Sequence, residues 1–144
     1  MVLLTMVLVI SACFQAANEV TLTGTSGNEN RLVNTEWKLS SFGKVGAESP
    51  VVEGTTVTLK FGSESRVNGT GGCNTYGGDY QMKDDTVSFS RIISTRKACV
   101  DAKVMQQESQ YFEALMSAGK FKLADNHLTI YYDEGRGVLN FVKG

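Results

Sequence analysis

The chain has 144 residues and a net charge of −1, from Lys+Arg 14 against Asp+Glu 15. That length allows one domain with an ordinary core. The balanced charge, with no run of one sign, argues against a nucleic-acid partner or a polybasic membrane patch, while fifteen glycines and one proline suit a turn-rich antiparallel protein.

Met1 to Ala12 reads MVLLTMVLVISA and carries no charge. It is too short to span a bilayer as a structural helix but suits the apolar core of a secretory signal. Ile10-Ser11-Ala12-Cys13 resembles a bacterial lipobox, in which small residues precede the cut and the cysteine thiol takes a diacylglyceryl group. The basic residues that usually open such a leader are missing, which leaves an upstream start open; the competing reading is an apolar N-terminus without this role. Residues 1–12 are therefore expected to be a lipoprotein signal peptide and Cys13 the lipidation site, with two or three acyl chains giving stable anchoring. Residues 13–31 are polar, without apolar period, and read as a flexible tether. Phe14 after the cysteine, rather than aspartate, points to the outer membrane, periplasmic side, in a host with two membranes.

The domain follows, over residues 32–144. Leu32 to Phe42 reads as a first strand with Trp37 and Leu39 on one face, and Gly43 to Gly54 as a loop. Val57, Leu59 and Phe61 alternate with Thr56, Thr58 and Lys60, as in a half-buried strand. A turn at Gly62–Ser65 then returns the chain as Arg66 to Thr70.

Arg66 to Tyr80, RVNGTGGCNTYGGDY, is the most unusual stretch. It has the glycine density of a phosphate cradle but no GxxxxGK[ST] and no following amphipathic helix. Asn68-Gly69 is a hairpin-turn signal, because both residues tolerate positive φ. Asn68-Gly69-Thr70 also matches a glycosylation sequon, which a bacterial envelope leader makes irrelevant. Gly71-Gly72 marks a bulge or a close approach by another segment. Tyr76, Gly78 and Tyr80 then share a strand face.

After a turn at Lys83-Asp84-Asp85, Thr86 to Phe89 reads as a short strand. Arg91 to Cys99 is less regular, with Ile92 and Ile93 expected inside. Asp101 reads as the N-cap of a single helix with a stripe of Val104, Met105, Tyr111, Phe112, Leu115 and Met116, and Gly119 as the residue after its end. Strands follow at Lys120–Leu123, His127–Tyr132 and Val138–Val142. The pattern predicts a mainly β (α+β) domain: a strongly curved antiparallel sheet, half-barrel-like, packed on one α-helix.

Catalytic constellations are not evident. His127, the only histidine, sits at a strand edge with no serine or cysteine motif to use it. One histidine does not favour zinc, and Asp79, Asp84 and Asp85 lack EF-hand spacing. Glu108 lies on or near the apolar side of the helix, where a carboxylate hydrogen-bonded to backbone or paired with Arg66, Arg96 or Lys97 is the plain reading. Tyr76, Tyr80, Tyr131 and Tyr132 either line a groove or pack the core and rim. Arg66, Arg91, Arg96 and Lys97 form either an anion-attracting patch or a solvated face. If lipid consumes Cys13, Cys73 and Cys99 remain as an even pair in an oxidising compartment, and a Cys73–Cys99 disulfide is expected; the alternative is two buried free thiols.

G-G-C-N-x-Y-G-G-x-Y, followed by Ser94, Thr95, Ala98 and Cys99, resembles the META domain, or HslJ-like, family. Trp37-Lys38-Leu39, Val57 to Phe61, Glu108 to Leu115 and Leu128-Thr129-Ile130 match the rest of its pattern in order, so the resemblance covers about Leu32 to Val142. Asn74, Tyr76, Tyr80 and Glu108 fall on its motifs and are the candidate structural or binding residues. The family has no agreed activity. Its members are mostly secreted or envelope proteins associated with stress responses. The resulting expectation is a non-enzymatic, lipid-anchored envelope module, monomeric, without cofactor or metal, that contacts another envelope protein or responds to envelope stress. A small-ligand-binding barrel is the alternative.

Overall fold

The computed structural model describes residues 26–144, so the leader, Cys13 and most of the expected tether lie outside it. A short helix, α1 (Ser26–Leu32), opens the described chain. Residues 26–31 are thus helical where a flexible tether was expected. Leu32 is fully buried, Arg31 donates to the Asp125 carbonyl at 3.1 Å, and the Asn34 N–H donates to Phe61 at 2.7 Å.

Nine strands follow. They are β1 (Glu36–Lys44), β2 (Ala47–Pro50), β3 (Thr58–Phe61), β4 (Arg66–Thr70), β5 (Thr75–Lys83), β6 (Thr86–Ser94), β7 (Ala118–Ala124), β8 (His127–Tyr132) and β9 (Gly137–Lys143). Helix α2 (Ala102–Met116) stands between β6 and β7. Each strand from β3 to β8 pairs with the next, and β1 pairs with both β3 and β9, so eight antiparallel strands close into a barrel. The predicted curvature goes all the way to closure. β2 extends β1 as an overhanging hairpin within the stretch expected to be a loop.

Alternation fills the interior. Trp37, Leu39, Leu59, Phe61, Val67, Tyr76, Tyr80, Val87, Phe89, Phe121, Leu128, Ile130, Leu139 and Phe141 are all buried in one cluster, joined by Tyr111, Ala114 and Leu115 of α2. An eight-stranded barrel has an interior that side chains can fill, and here rings do much of it: Tyr111 packs edge-on to Tyr76 at 5.8 Å and to Phe141 at 6.5 Å. Each such side chain is worth roughly 1.5–3 kcal/mol of burial.

Three local expectations are corrected. The first concerns Asn68-Gly69, which is not a turn. Both residues lie inside β4, opposite Gly77 and Tyr76, and the chain reverses at residues 71–74 instead. Gly69 is required by contact, since a Cβ there would run into the Thr58 carbonyl oxygen. The second concerns β6, which runs on to Ser94 through a bulge. Arg91 adopts φ 53° as the extra residue, and the alternation shifts by one. Ile92 therefore packs against the core, while Ile93, expected inside, is 75% exposed.

The third concerns the phase of α2. Asp101 caps it as predicted, accepting from the Lys103 N–H at 2.8 Å. Its buried side is Val104, Gln107, Glu108, Tyr111, Ala114 and Leu115. Met105 and Met116 are more than half exposed, and Phe112 is half-buried against Tyr76 and Tyr111. Glu108 faces the core, in line with its expected place on the apolar side; Gln107 joins it there, which a hydrophobic stripe cannot reveal. The helix ends at Ser117, whose N–H bonds back to Glu113, and Gly119 lies inside β7.

The placement of Gly69 separates contact from turn chemistry. Gly69→Ala is expected to destabilise by about 1–3 kcal/mol through overpacking, whereas Asn68→Ala, an exposed strand position, should stay within about 0.5 kcal/mol. Denaturant melts of the two variants check this; the reverse order would restore the turn.

Candidate functional site

The motif residues gather where α2 meets the loop between β4 and β5. Glu108 is buried and its two oxygens accept three N–H groups. Oε2 takes the backbone N–H of Asn74 at 2.7 Å and of Cys73 at 3.2 Å; Oε1 takes the Asn74 side-chain amide at 2.6 Å. Asn74 continues the chain: its Oδ1 accepts from the Thr95 hydroxyl at 2.9 Å and the Lys97 N–H at 2.7 Å. The network has a fixed polarity. Lys97 N–H can only donate, so Asn74 must turn its oxygen there and its amide toward Glu108. The partners of Glu108 are thus backbone and asparagine, and none of the three cations considered from sequence.

The loop itself is pulled tight. The Gly71 N–H donates to the Asn74 carbonyl at 2.8 Å and the Thr70 hydroxyl donates to the same oxygen at 3.2 Å. A Cβ on Gly71 would sit 2.7 Å from both Cγ and Oε2 of Glu108, so the close approach predicted for Gly71-Gly72 is made by this carboxylate. Next to it the Cys73–Cys99 disulfide is present, with Cα atoms 6.2 Å apart. It joins the turn between β4 and β5 to the segment before α2. Closing a loop of 26 residues is worth about 3–4 kcal/mol in the chain-entropy model.

Two further buried groups complete the junction. Gln107 accepts from the Val52 N–H at 2.6 Å and donates to the Thr55 hydroxyl at 3.1 Å, pinning the segment before β3. Gln107 is not among the apolar residues of the expected stripe, and only the helix phase would have found it. The Tyr76 hydroxyl donates to the Thr58 carbonyl at 2.9 Å and lies 2.8 Å from the Tyr111 hydroxyl. Burial drives both phenols far above their ordinary range. For Tyr76 the Tyr111 hydrogen bond opposes this; for Tyr111 the charge and hydrogen bond of Tyr76 add to it. Tyr80 lies elsewhere in the barrel, its hydroxyl donating to the Gly62 carbonyl at 3.2 Å and its ring edge-on to Phe61.

The other candidates are dispersed. His127 is exposed at the start of β8. Asp84 is a left-handed turn residue (φ 53°), and Asp85 pairs with Lys120 at 3.3 Å. Asp79 pairs with Arg66 at 2.9 Å and with Arg91, and the Arg91 hydrogen bond chiefly holds its carboxyl below the usual carboxylate range. Open grooves lie outside the barrel wall among the described residues. One, of about 460 Å³, is bordered by Phe42, Gln110, Glu113 and Tyr132; another, of about 740 Å³, by Phe121, Lys122 and Tyr131, with the Lys122 ammonium 5.6 Å from the Tyr131 ring centre.

The META domain family matches residues 30–143, and the chain belongs to that family. No curated protein matches it. Among solved structures, an NMR structure of a protein from Burkholderia xenovorans is similar at 27% identity and a TM-score of 0.66, over 80% of this chain and 85% of that one. A second protein solved by NMR is similar at 19% identity and a TM-score of 0.62, over 78% and 92%. The crystal structure of a DUF4847 family protein from Bacteroides vulgatus is similar at 16% identity and a TM-score of 0.59, over 81% and 96%. The last two likenesses concern the fold alone.

Two predictions test the junction. Glu108→Gln must present a donor to one of three N–H groups, and an Asn74 flip cannot relieve it because Lys97 N–H blocks the other side. A loss of about 1–3 kcal/mol in denaturant melts is expected; a neutral Gln would show that the network can reverse. The tyrosine pair gives an alkaline signature. Folded-state phenol values raised above the unfolded value contribute stability that is complete below about pH 10 and is lost as pH rises toward the folded values. Stability should therefore decline above about pH 10, with a shallower decline in Tyr76→Phe. Phenolate absorbance followed alongside unfolding checks this, and full ionisation of all five tyrosines in the folded state would contradict it.

Proposed function

We propose that the chain is a non-enzymatic META-domain protein of the cell envelope, held to the membrane by lipid on Cys13, which works by surface contact with another envelope protein under stress. One observation carries the binding role. Each side chain that sequence marked for chemistry at the motif is already engaged in holding the fold: Glu108 with Cys73 and Asn74, Asn74 with Thr95 and Lys97, Tyr76 with Thr58 and Tyr111. The barrel interior is occupied by its own rings and aliphatic chains, which argues against a ligand held inside as in larger-bored barrels.

The envelope assignment draws support from the disulfide, since such bonds persist in oxidising compartments. It draws support too from the apolar leader ending in Ile10-Ser11-Ala12-Cys13. The domain leaves apolar side chains for a partner near its disulfide-tied segment: Val100 is fully exposed and Met105 half exposed.

A paired experiment tests this reading. Metabolic labelling with a fatty-acid probe should mark the wild type and not Cys13→Ser. Crosslinking in the native envelope should then capture one protein partner with the wild type and lose it with a Val100→Asp/Met105→Asp variant that still folds. Equal labelling of both forms would remove the anchor. A folded His127→Ala variant that loses all cellular function would point to catalysis instead.

A further inference from the structure

Three neighbouring strands place Arg66 (β4), Asp79 (β5) and Arg91 (β6) side by side on the outer wall of the barrel. Arg66 stands directly across from Asp79, and one carboxylate oxygen serves each guanidinium. Asp79 is 13% exposed, whereas the arginine side chains are 63% and 76% exposed. Among the described residues Asp79 takes Nη1 of Arg66 and Nε of Arg91, which leaves the other N–H groups of both guanidiniums for a second acceptor. With Asp79 they line a notch of about 290 Å³ whose other walls are Gly77, Gly78 and the exposed Ile93.

Two features make this more than a surface ion pair. One carboxylate needs one arginine, yet two are present, leaving one positive charge over the notch. The second arginine also sits where an arginine is ill suited. Arg91 is the bulge residue with φ 53°, a backbone conformation that glycine or asparagine takes at less cost. Bulges re-aim side chains, and strained residues persist where the surroundings over-determine them. Here the same bulge aims Arg91 at Asp79 and turns Ile93 outward beside it. Gly78 makes room, since a Cβ there would lie 2.7 Å from Ile92 Cδ1 and 2.9 Å from the Ser90 carbonyl oxygen.

We propose that this notch binds a carboxylate bearing a short branched apolar group, the outer N–H groups of Arg66 and Arg91 taking the carboxylate oxygens and Ile93 covering the apolar group. Guanidinium forks match carboxylate geometry. The single uncompensated charge suits a monoanion, and an exposed isoleucine at its edge suits an aliphatic substituent. A free branched-chain acid and the C-terminus of a peptide ending in leucine share this chemistry. The inference goes beyond the proposed function and does not depend on the lipid anchor.

The test is an NMR titration of the full chain in detergent micelles at constant ionic strength, following the arginine Nε–H resonances. The probes are isovalerate, acetate, inorganic phosphate and an acetylated dipeptide ending in leucine. Saturable shifts with isovalerate are expected, with acetate at least about threefold weaker. Ile93→Ser should erase that difference. Arg91→Gly and Arg66→Gln should each weaken binding by about tenfold or more, and Arg91→Gly should melt at or above the wild-type temperature because glycine accepts the bulge. Tighter binding of the dipeptide than of isovalerate would assign the site to a peptide terminus, the reverse to a free acid; either supports the notch. Shifts that never saturate, affinity unchanged in both arginine variants, or phosphate bound more tightly than either carboxylate would overturn it. Should Arg91→Gly fold poorly, Arg66→Gln with Ile93→Ser carries the same comparison.

Discussion

Three N–H groups converging on the two oxygens of Glu108 set the geometry on which the junction depends. A buried carboxylate without partners would cost several kcal/mol. Hydrogen bonds to a charged group recover about 1.5–3 kcal/mol each, so the sign of the balance rests on all three being made. That requirement shapes the sequence around it. Residue 71 has no side chain because Glu108 occupies the space, and residue 74 is asparagine because it must accept from Lys97 while donating to Glu108. Cys73 lies between them and carries the covalent link to Cys99. One carboxylate thereby joins the β4–β5 hairpin, the helix and the β6–α2 connection.

That joint matters most where the barrel wall is thinnest. β5 and β6 are paired along nearly their whole length, but β6 and β7 share a single register pair, Thr86 with Lys120, supported by the Phe121 N–H donating to Asp85 at 2.8 Å. The chain between these two strands is α2, and its buried side belongs to the same core as the wall. Strand pairing gives β6 and β7 little hold on each other, so the helix, its polar anchors Gln107 and Glu108, and the disulfide supply much of the constraint there. Tyr111 couples this helix to the wall opposite by reaching Tyr76, Thr58 and Phe141 together.

The strands were legible where apolar and polar residues alternate, as in His127–Tyr132 and in the shared face of Tyr76, Gly78 and Tyr80, because one buried face imposes a period of two; in Val57–Phe61 the alternation located the strand but missed the burial of Thr58. The Cys73–Cys99 pair was legible from counting, once Cys13 was set aside for lipid. The helix existed where Asp101 announced it, but its phase was misjudged. Val104, Tyr111, Leu115 and Glu108 are buried in line with the expected stripe, but Met105 and Met116 carry hydrophobic signal without burial, and Gln107 is buried without it. Polar groups go inside when loops supply partners, and those loops are distant in sequence, so no local pattern reports them. Ile93 failed for a similar reason. Its side chain faces outward because of one extra residue in β6, and a bulge leaves no mark in hydropathy.

The glycines of Arg66 to Tyr80 show how one compositional signal holds different physical demands. Of the five, only Gly72 has a positive φ, at 114°. Gly69, Gly71 and Gly78 have ordinary backbone and are glycines because a Cβ would strike, respectively, the Thr58 carbonyl, the Glu108 carboxylate, and Ile92 with the Ser90 carbonyl. A rule that equates Asn-Gly with a left-handed turn therefore fails at Asn68-Gly69, where the true constraint is the distance to a neighbouring strand. The left-handed conformations fall largely on other residues, Arg91 among them. Where a glycine takes such a conformation, backbone freedom is explanation enough. Where an arginine takes it, backbone freedom explains nothing, and what the side chain reaches, at Arg91 the carboxylate of Asp79, is the feature that glycine would lack.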